Sequence, residues 1–156
     1  MISLQFVRGT QLDSKLIEWF GGGPLFSHVD TVLEDGTLLG SRMEGGVQIR
    51  QAGYFGDLKT LRIDLECSDL ATGRYIEFVK SQLGKPYDGT GILAFVAGRD
   101  WQEDDSWFCS ELVASGLEKC GYFAFRPASP SNKITPPNLI LMLSVLTKVI
   151  FNEGAQ

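Results

Sequence analysis

The sequence predicts an α+β fold built on an antiparallel sheet, and three observations carry that prediction. Strand-like patterns follow one another from residue 27 to residue 66, hairpin turn signals divide them, and helical patterns flank the run. No internal repeat and no linker divides the chain. Its 156 residues therefore read as one domain, 1–156, large enough to bury a core without staples.

The elements follow in order. "ISLQFVR" (2–8) alternates apolar and polar positions, as a half-buried strand does, and "LDSKLIEWF" (12–20) has apolar residues at helical spacing. "GGGP" (21–24) breaks the pattern before the strand "SHVDTVL" (27–33). "EDG" (34–36) is a hairpin turn leading to the strand "TLLGSR" (37–42), and the glycines at 45–46 turn the chain into "VQIR" (47–50). "LKTLRIDLE" (58–66) is the clearest strand. Ser68 caps a helix over 69–83 that stops at Gly84. A loop "GKPYDGTG" (84–91), an apolar segment (92–98) and an acidic approach (100–107) precede the helix "CSELVASGLEKC" (109–120), ended by Gly121. "YFAFRP" (122–127) reads as a short strand, "SPSNKITPP" (129–137) as a connection, and a last helix begins near Pro137.

Composition excludes several classes of function. Apolar residues make up 44% and charged residues 21%, as in an ordinary globular protein. The net charge of −5, without a basic stripe, argues against a nucleic-acid partner. The amino terminus lacks the features of a signal peptide, and "LILMLSVLTKVIF" (139–151) is too short and interrupted to span a bilayer. The default expectation is thus a cytoplasmic protein. Three cysteines without a CxxC pair, and a single histidine, argue against a disulfide framework or a metal cage, so no metal and no cofactor is expected.

The single histidine and one of the cysteines stand where chemistry is possible. With Ser106 as the cap, Cys109 falls at the third helical position, where the unpaired N–H groups of the first turn favour a thiolate. Asp104 and Asp105 act in the opposite direction. Cys120, at the far end of the same helix, and Cys67 read as packing. Taken singly, Cys109 would also more often be packing than chemistry. Alternation sets His28 and Asp30 on one strand face and Val29, Thr31 and Leu33 on the other.

The order "FSHV", a hairpin with "GGV", "GKPYD" and "FCSELV" resembles the circularly permuted NlpC-like (YiiX-like) cysteine hydrolases of papain-like fold. Lecithin retinol acyltransferase-type enzymes are their distant relatives. The resemblance spans roughly residues 25 to 122. It implies an antiparallel sheet packed against the nucleophile helix, with Cys109 as nucleophile and His28 as general base. It also implies that Tyr87 of the "PY" motif lines the substrate site, with Ser27 and Asp88 beside the motif residues. The family's polar orienting residue falls at Gly40, which has no side chain to orient an imidazole. Asp30 is the first choice for that role, although residues two apart on a strand lie about 7 Å apart at Cα. Ser41, Arg42 and Glu44 are the alternatives if the hairpin register shifts.

The implied activity is a thiol hydrolase that cleaves an amide bond, as in a peptidoglycan-type peptide, or an ester bond. The partner is then a small peptide or acyl substrate. A wall-cleaving enzyme without an export signal would need phage lysis or a dedicated secretion route. Two further readings stand beside it: a lipid or acyl-amide hydrolase or acyltransferase on the same site, and a non-catalytic binding module.

Overall fold

The computed structural model describes residues 1–8, 26–88, 106–123 and 134–144. The expected helix over 12–20, the "GGGP" loop and the apolar segment over 92–98 lie outside these residues. So do most of the acidic approach, the "YFAFRP" stretch and the connection after it.

Five antiparallel strands form one sheet: β1 (Ile2–Val7), β2 (His28–Val32), β3 (Leu38–Arg42), β4 (Gly46–Arg50) and β5 (Thr60–Leu65). Their spatial order is β4-β3-β2-β1-β5. Three helices are described: α1 (Asp69–Ser81), α2 (Cys109–Lys119) and α3 (Pro136–Ser144). α2 packs against β2, β3, α1 and α3, so the helix with the candidate nucleophile lies against the strand with the histidine. The α+β class and the antiparallel sheet are as expected.

Period-two patterning builds the sheet's inner face. In β5, Leu61, Ile63 and Leu65 are buried while Thr60, Arg62 and Asp64 between them are only partly so. Leu4, Phe6, Val29, Leu39 and Val47 join that face and meet Leu112, Val113 and Leu117 of α2 and Tyr75 and Val79 of α1. Each such side chain contributes about 1.5–3 kcal/mol on burial. Thr31, on the same face as Val29, hydrogen-bonds Tyr75 Oη at 2.7 Å.

Local signals set the boundaries. The β3–β4 turn has Gly45 at φ 84° and Gly46 at φ 65°, a region that side chains with a Cβ avoid. Ser68 Oγ accepts from Ala71 N at 3.2 Å and caps α1, which ends at Ser81, with residues 82–84 in a turn. α2 departs from expectation at its start. Its cap is Phe108, not Ser106, so Cys109 is the first helical residue rather than the third. The reason is local: the Glu111 carboxylate reaches back to accept Phe108 N–H at 3.3 Å, which starts the helix two residues later.

Candidate active site

Three contacts fix the chain just before α2. Trp107 pairs with the "GKPYD" loop through Trp107 N→Pro86 O (3.0 Å) and Asp88 N→Trp107 O (3.2 Å). Its indole N–H donates to Gln82 Oε1 at 3.0 Å. Its carbonyl accepts from Ser41 Oγ at 2.6 Å, which ties the helix entrance to β3. One residue on, the Phe108 ring meets the Tyr87 ring at 5.8 Å between centroids. Cys109 follows, 1% exposed. Ser110 Oγ donates to Ile134 O and anchors the segment before α3 to this turn.

His28 opens β2, its side chain 12% exposed. Nε2 lies 2.8 Å from Asp30 Oδ1, and Asp30 is fully buried. The imidazole also interacts with Cys109, through its charge and a hydrogen bond. Burial alone would lower the imidazole pKa, but the charges of Asp30 and Cys109 and the hydrogen bonds to both override it. His28 is pushed up from 6.5 to about 10. Asp30 is the reciprocal case. Burial would raise its carboxyl, and the imidazolium, the hydrogen bonds from His28 and Tyr54 and the charge of Arg50 hold it below its ordinary value.

Gly40 explains how two residues on one strand can meet this way. Continuing the β2–β3 register (Thr31 opposite Leu39) by one step sets Gly40 beside Asp30. A Cβ built on Gly40 would stand 1.9 Å from Asp30 Oδ1 and 3.0 Å from its Cγ. The carboxylate therefore occupies the volume of the missing side chain. Its rivals are engaged elsewhere: Ser41 bonds the Trp107 carbonyl, Arg42 lies over the Tyr54 ring at 5.1 Å, and Glu44 is exposed in the turn.

The structure thus brings Cys109, His28 and Asp30 together and sets Tyr87 one ring away. Ser27 is buried immediately before His28, with its N–H on Val7 O at 3.1 Å. Asp88 is buried as well, and its charge reaches Glu111. Glu111 itself is buried, and that burial pushes its carboxyl up from 4.5 to about 7. Cys120, at the far end of α2, bonds Leu117 O at 3.3 Å, and burial raises its thiol pKa. Cys67 meets Thr72 Oγ1 at 3.2 Å.

Sequence reasoning missed two residues. Tyr54, in the turn after β4, donates to Asp30 Oδ2 at 2.8 Å and stands 3.1 Å from His28 Nε2. Glu111 was legible only as a polar residue inside "CSELV". The capping pattern that would have singled it out needs Ser, Thr, Asp or Asn at the cap, and Phe108 stands there.

The arrangement was compared with known proteins. No family model matches the chain, and no curated protein does. Solved structures do match. The fold is shared with YiiX. The structure described as metalloprotein YiiX from Escherichia coli O157:H7 superposes with a TM-score of 0.60 at 20% sequence identity. The match covers 78% of this chain and 66% of YiiX, just under two thirds of that protein. At this identity the likeness is one of fold. Among the described residues, no helix is long and apolar enough to cross a membrane.

Proposed function

We propose that the chain is a thiol hydrolase of permuted papain-like (NlpC-like) fold, cleaving an amide or ester bond through an acyl-enzyme. One observation carries the proposal: a buried carboxylate holds one side of the only imidazole, and a cysteine at the first residue of a helix is bonded to the same ring.

The chemistry follows from the contacts. An imidazolium beside the sulfur favours the thiolate, which is the nucleophilic form. The thiolate attacks the carbonyl carbon, and the oxygen takes up the negative charge. The N–H groups of Cys109 and Ser110 precede the first helical hydrogen bond, Leu112 N→Phe108 O, and suit that oxyanion. His28 then gives its proton to the departing amine or alkoxide, leaving a thioester. The neutral ring next takes a proton from water as water attacks the thioester, and the acid departs with Cys109 restored. Asp30 orients the ring and balances its charge throughout. General acid–base transfer of this kind contributes about 10²–10⁴-fold.

Peptidoglycan-type peptides are the first substrate class, following the NlpC-like resemblance, and lipid or acyl amides the second. The reading requires the surroundings of Cys109 to part for substrate, since the sulfur is buried in the resting arrangement. The binding-module reading drew its support from Gly40, and the fit of Asp30 into that gap favours the hydrolase reading over it. The word metalloprotein is said of YiiX alone. Among the described residues no three His, Cys, Asp or Glu side chains gather to hold a metal, and His28 Nε2 is already bonded to Asp30.

The test is alkylation by iodoacetamide at pH 6, mapped by mass spectrometry. Cys109 is expected to label well ahead of Cys67 and Cys120, and His28→Ala to slow it by about tenfold or more as the thiolate is lost. Equal labelling of all three cysteines, unchanged in His28→Ala, would contradict the proposal.

A further inference from the structure

The turn between β4 and β5 contributes a group that the thiol-hydrolase reading does not use. Asp30 is fully buried, so each carboxylate oxygen must find its donors inside the protein. Oδ1 faces His28 Nε2 at 2.8 Å and Oδ2 accepts from Tyr54 Oη at 2.8 Å. The Tyr54 hydroxyl has one proton, and it goes to Oδ2. The lone pairs of Oη, 3.1 Å from His28 Nε2, can then only accept. Nε2 is thus flanked by two acceptors and must carry a hydrogen, which leaves Nδ1 as the nitrogen that gains and loses a proton.

Tyr54 is itself held. The guanidinium groups of Arg42 and Arg50 lie 5.1 Å and 5.7 Å from its ring centroid, and the Phe55 ring packs edge-on at 5.2 Å. Arg50 in turn donates to the carbonyls of Gly40 (3.1 Å), Glu44 (3.1 Å) and Gly46 (3.2 Å). The hairpin that leaves room for the Asp30 carboxylate at Gly40 therefore also fixes the ring that bonds its second oxygen.

We infer that Tyr54 is a positioning residue: by donating to Asp30 Oδ2 and accepting from His28 Nε2 it fixes the carboxylate and the imidazole tautomer that Cys109 needs. The orienting function, which the NlpC-like pattern assigns to one residue on the next strand, is here divided between Asp30 on β2 and Tyr54 in the turn after β4. Gly40 is the space that permits the division.

The inference rests on the thiol-hydrolase reading, and its test separates the two. Tyr54→Phe keeps the ring and deletes the hydroxyl. Phe55→Leu loosens the same turn without touching the carboxylate. Both variants and His28→Ala are alkylated with iodoacetamide, and the Nε2–H proton of the single histidine is followed by NMR. Tyr54→Phe is expected to slow Cys109 labelling about tenfold, in the range for loss of a supporting hydrogen bond, and to speed exchange of the Nε2–H with water. Phe55→Leu removes one edge contact but keeps the hydroxyl and both guanidinium groups, so it should slow labelling and speed exchange much less than Tyr54→Phe. Wild-type labelling and exchange in Tyr54→Phe overturns the inference, as does an equal loss in Phe55→Leu, which would make the role one of turn packing. If His28→Ala also labels normally, the hydrolase reading fails with it. If only His28→Ala is slow, the inference alone fails.

Discussion

Replacing Asp30 with asparagine keeps the shape of the side chain and removes the charge that His28 faces. The rise of His28 from 6.5 to about 10 corresponds to roughly 5 kcal/mol of differential stabilisation of the imidazolium, an upper figure for a ring so well buried. Burial is the largest single influence and acts to lower the pKa. Asp30 leads the influences that oppose it, ahead of Cys109. Without the carboxylate charge, burial prevails, and His28 should titrate at or below its ordinary 6.5. The sign for stability follows. A histidine whose pKa is raised on folding stabilises the protein fully below 6.5, and that contribution disappears as the pH rises through about 10. Wild type should therefore lose stability steadily between those values. Asp30→Asn should lack the slope and be less stable at pH 7 by about 3–5 kcal/mol, the usual cost of breaking a buried pair. The assay is direct because the chain has one histidine, so a single imidazole Cε1–H resonance reports the titration. A wild-type midpoint near 6.5, or an Asp30→Asn midpoint equal to wild type, would refute the reasoning.

Two further outcomes are expected. Gly40→Ala puts a methyl group where Asp30 Oδ1 lies, with the Val29 carbonyl 3.3 Å behind it, so the carboxylate must swing away. Cys109 alkylation should fall at least tenfold, as for loss of the orienting group, while Gly73→Ala, whose added methyl meets nothing within 4 Å, leaves the site intact and gains up to about 1 kcal/mol in helix stability. Glu111→Gln removes a buried acid whose pKa rises from 4.5 to about 7 on folding. Wild type therefore loses stability as the pH climbs through that window, and the variant should be more stable by roughly 1–3 kcal/mol at pH 8 and equal at pH 4, by urea unfolding.

The strands were legible because their signals are local. The alternation in "LKTLRIDL", the turn residues "EDG" and the glycine pair at 45–46 each state a backbone preference on their own. The pairing of Cys109 with His28 came from the order of the motifs. The orienting group was less clear, because the distance between alternate residues on a strand is measured at Cα, whereas Asp30 meets His28 through folded side chains in a gap left by Gly40. A glycine reads as an absence in a sequence, and here it makes room for a carboxylate. Tyr54 had no periodicity to mark it, since it reaches the site from a turn across two strands. The start of α2 was misplaced because Ser106 fits the usual cap, while the deciding hydrogen bond comes from Glu111, inside the helix.

The central claim is that His28 and Cys109 exchange charge across one hydrogen bond. Titrating the His28 resonance in Cys109→Ala beside wild type tests it most directly. The account predicts a midpoint clearly below the wild-type value of about 10, because the charge on sulfur is gone, yet above that of Asp30→Asn, because the larger contributor remains. Superimposable curves for Cys109→Ala and wild type would show that the imidazole does not sense the sulfur, and would contradict the account.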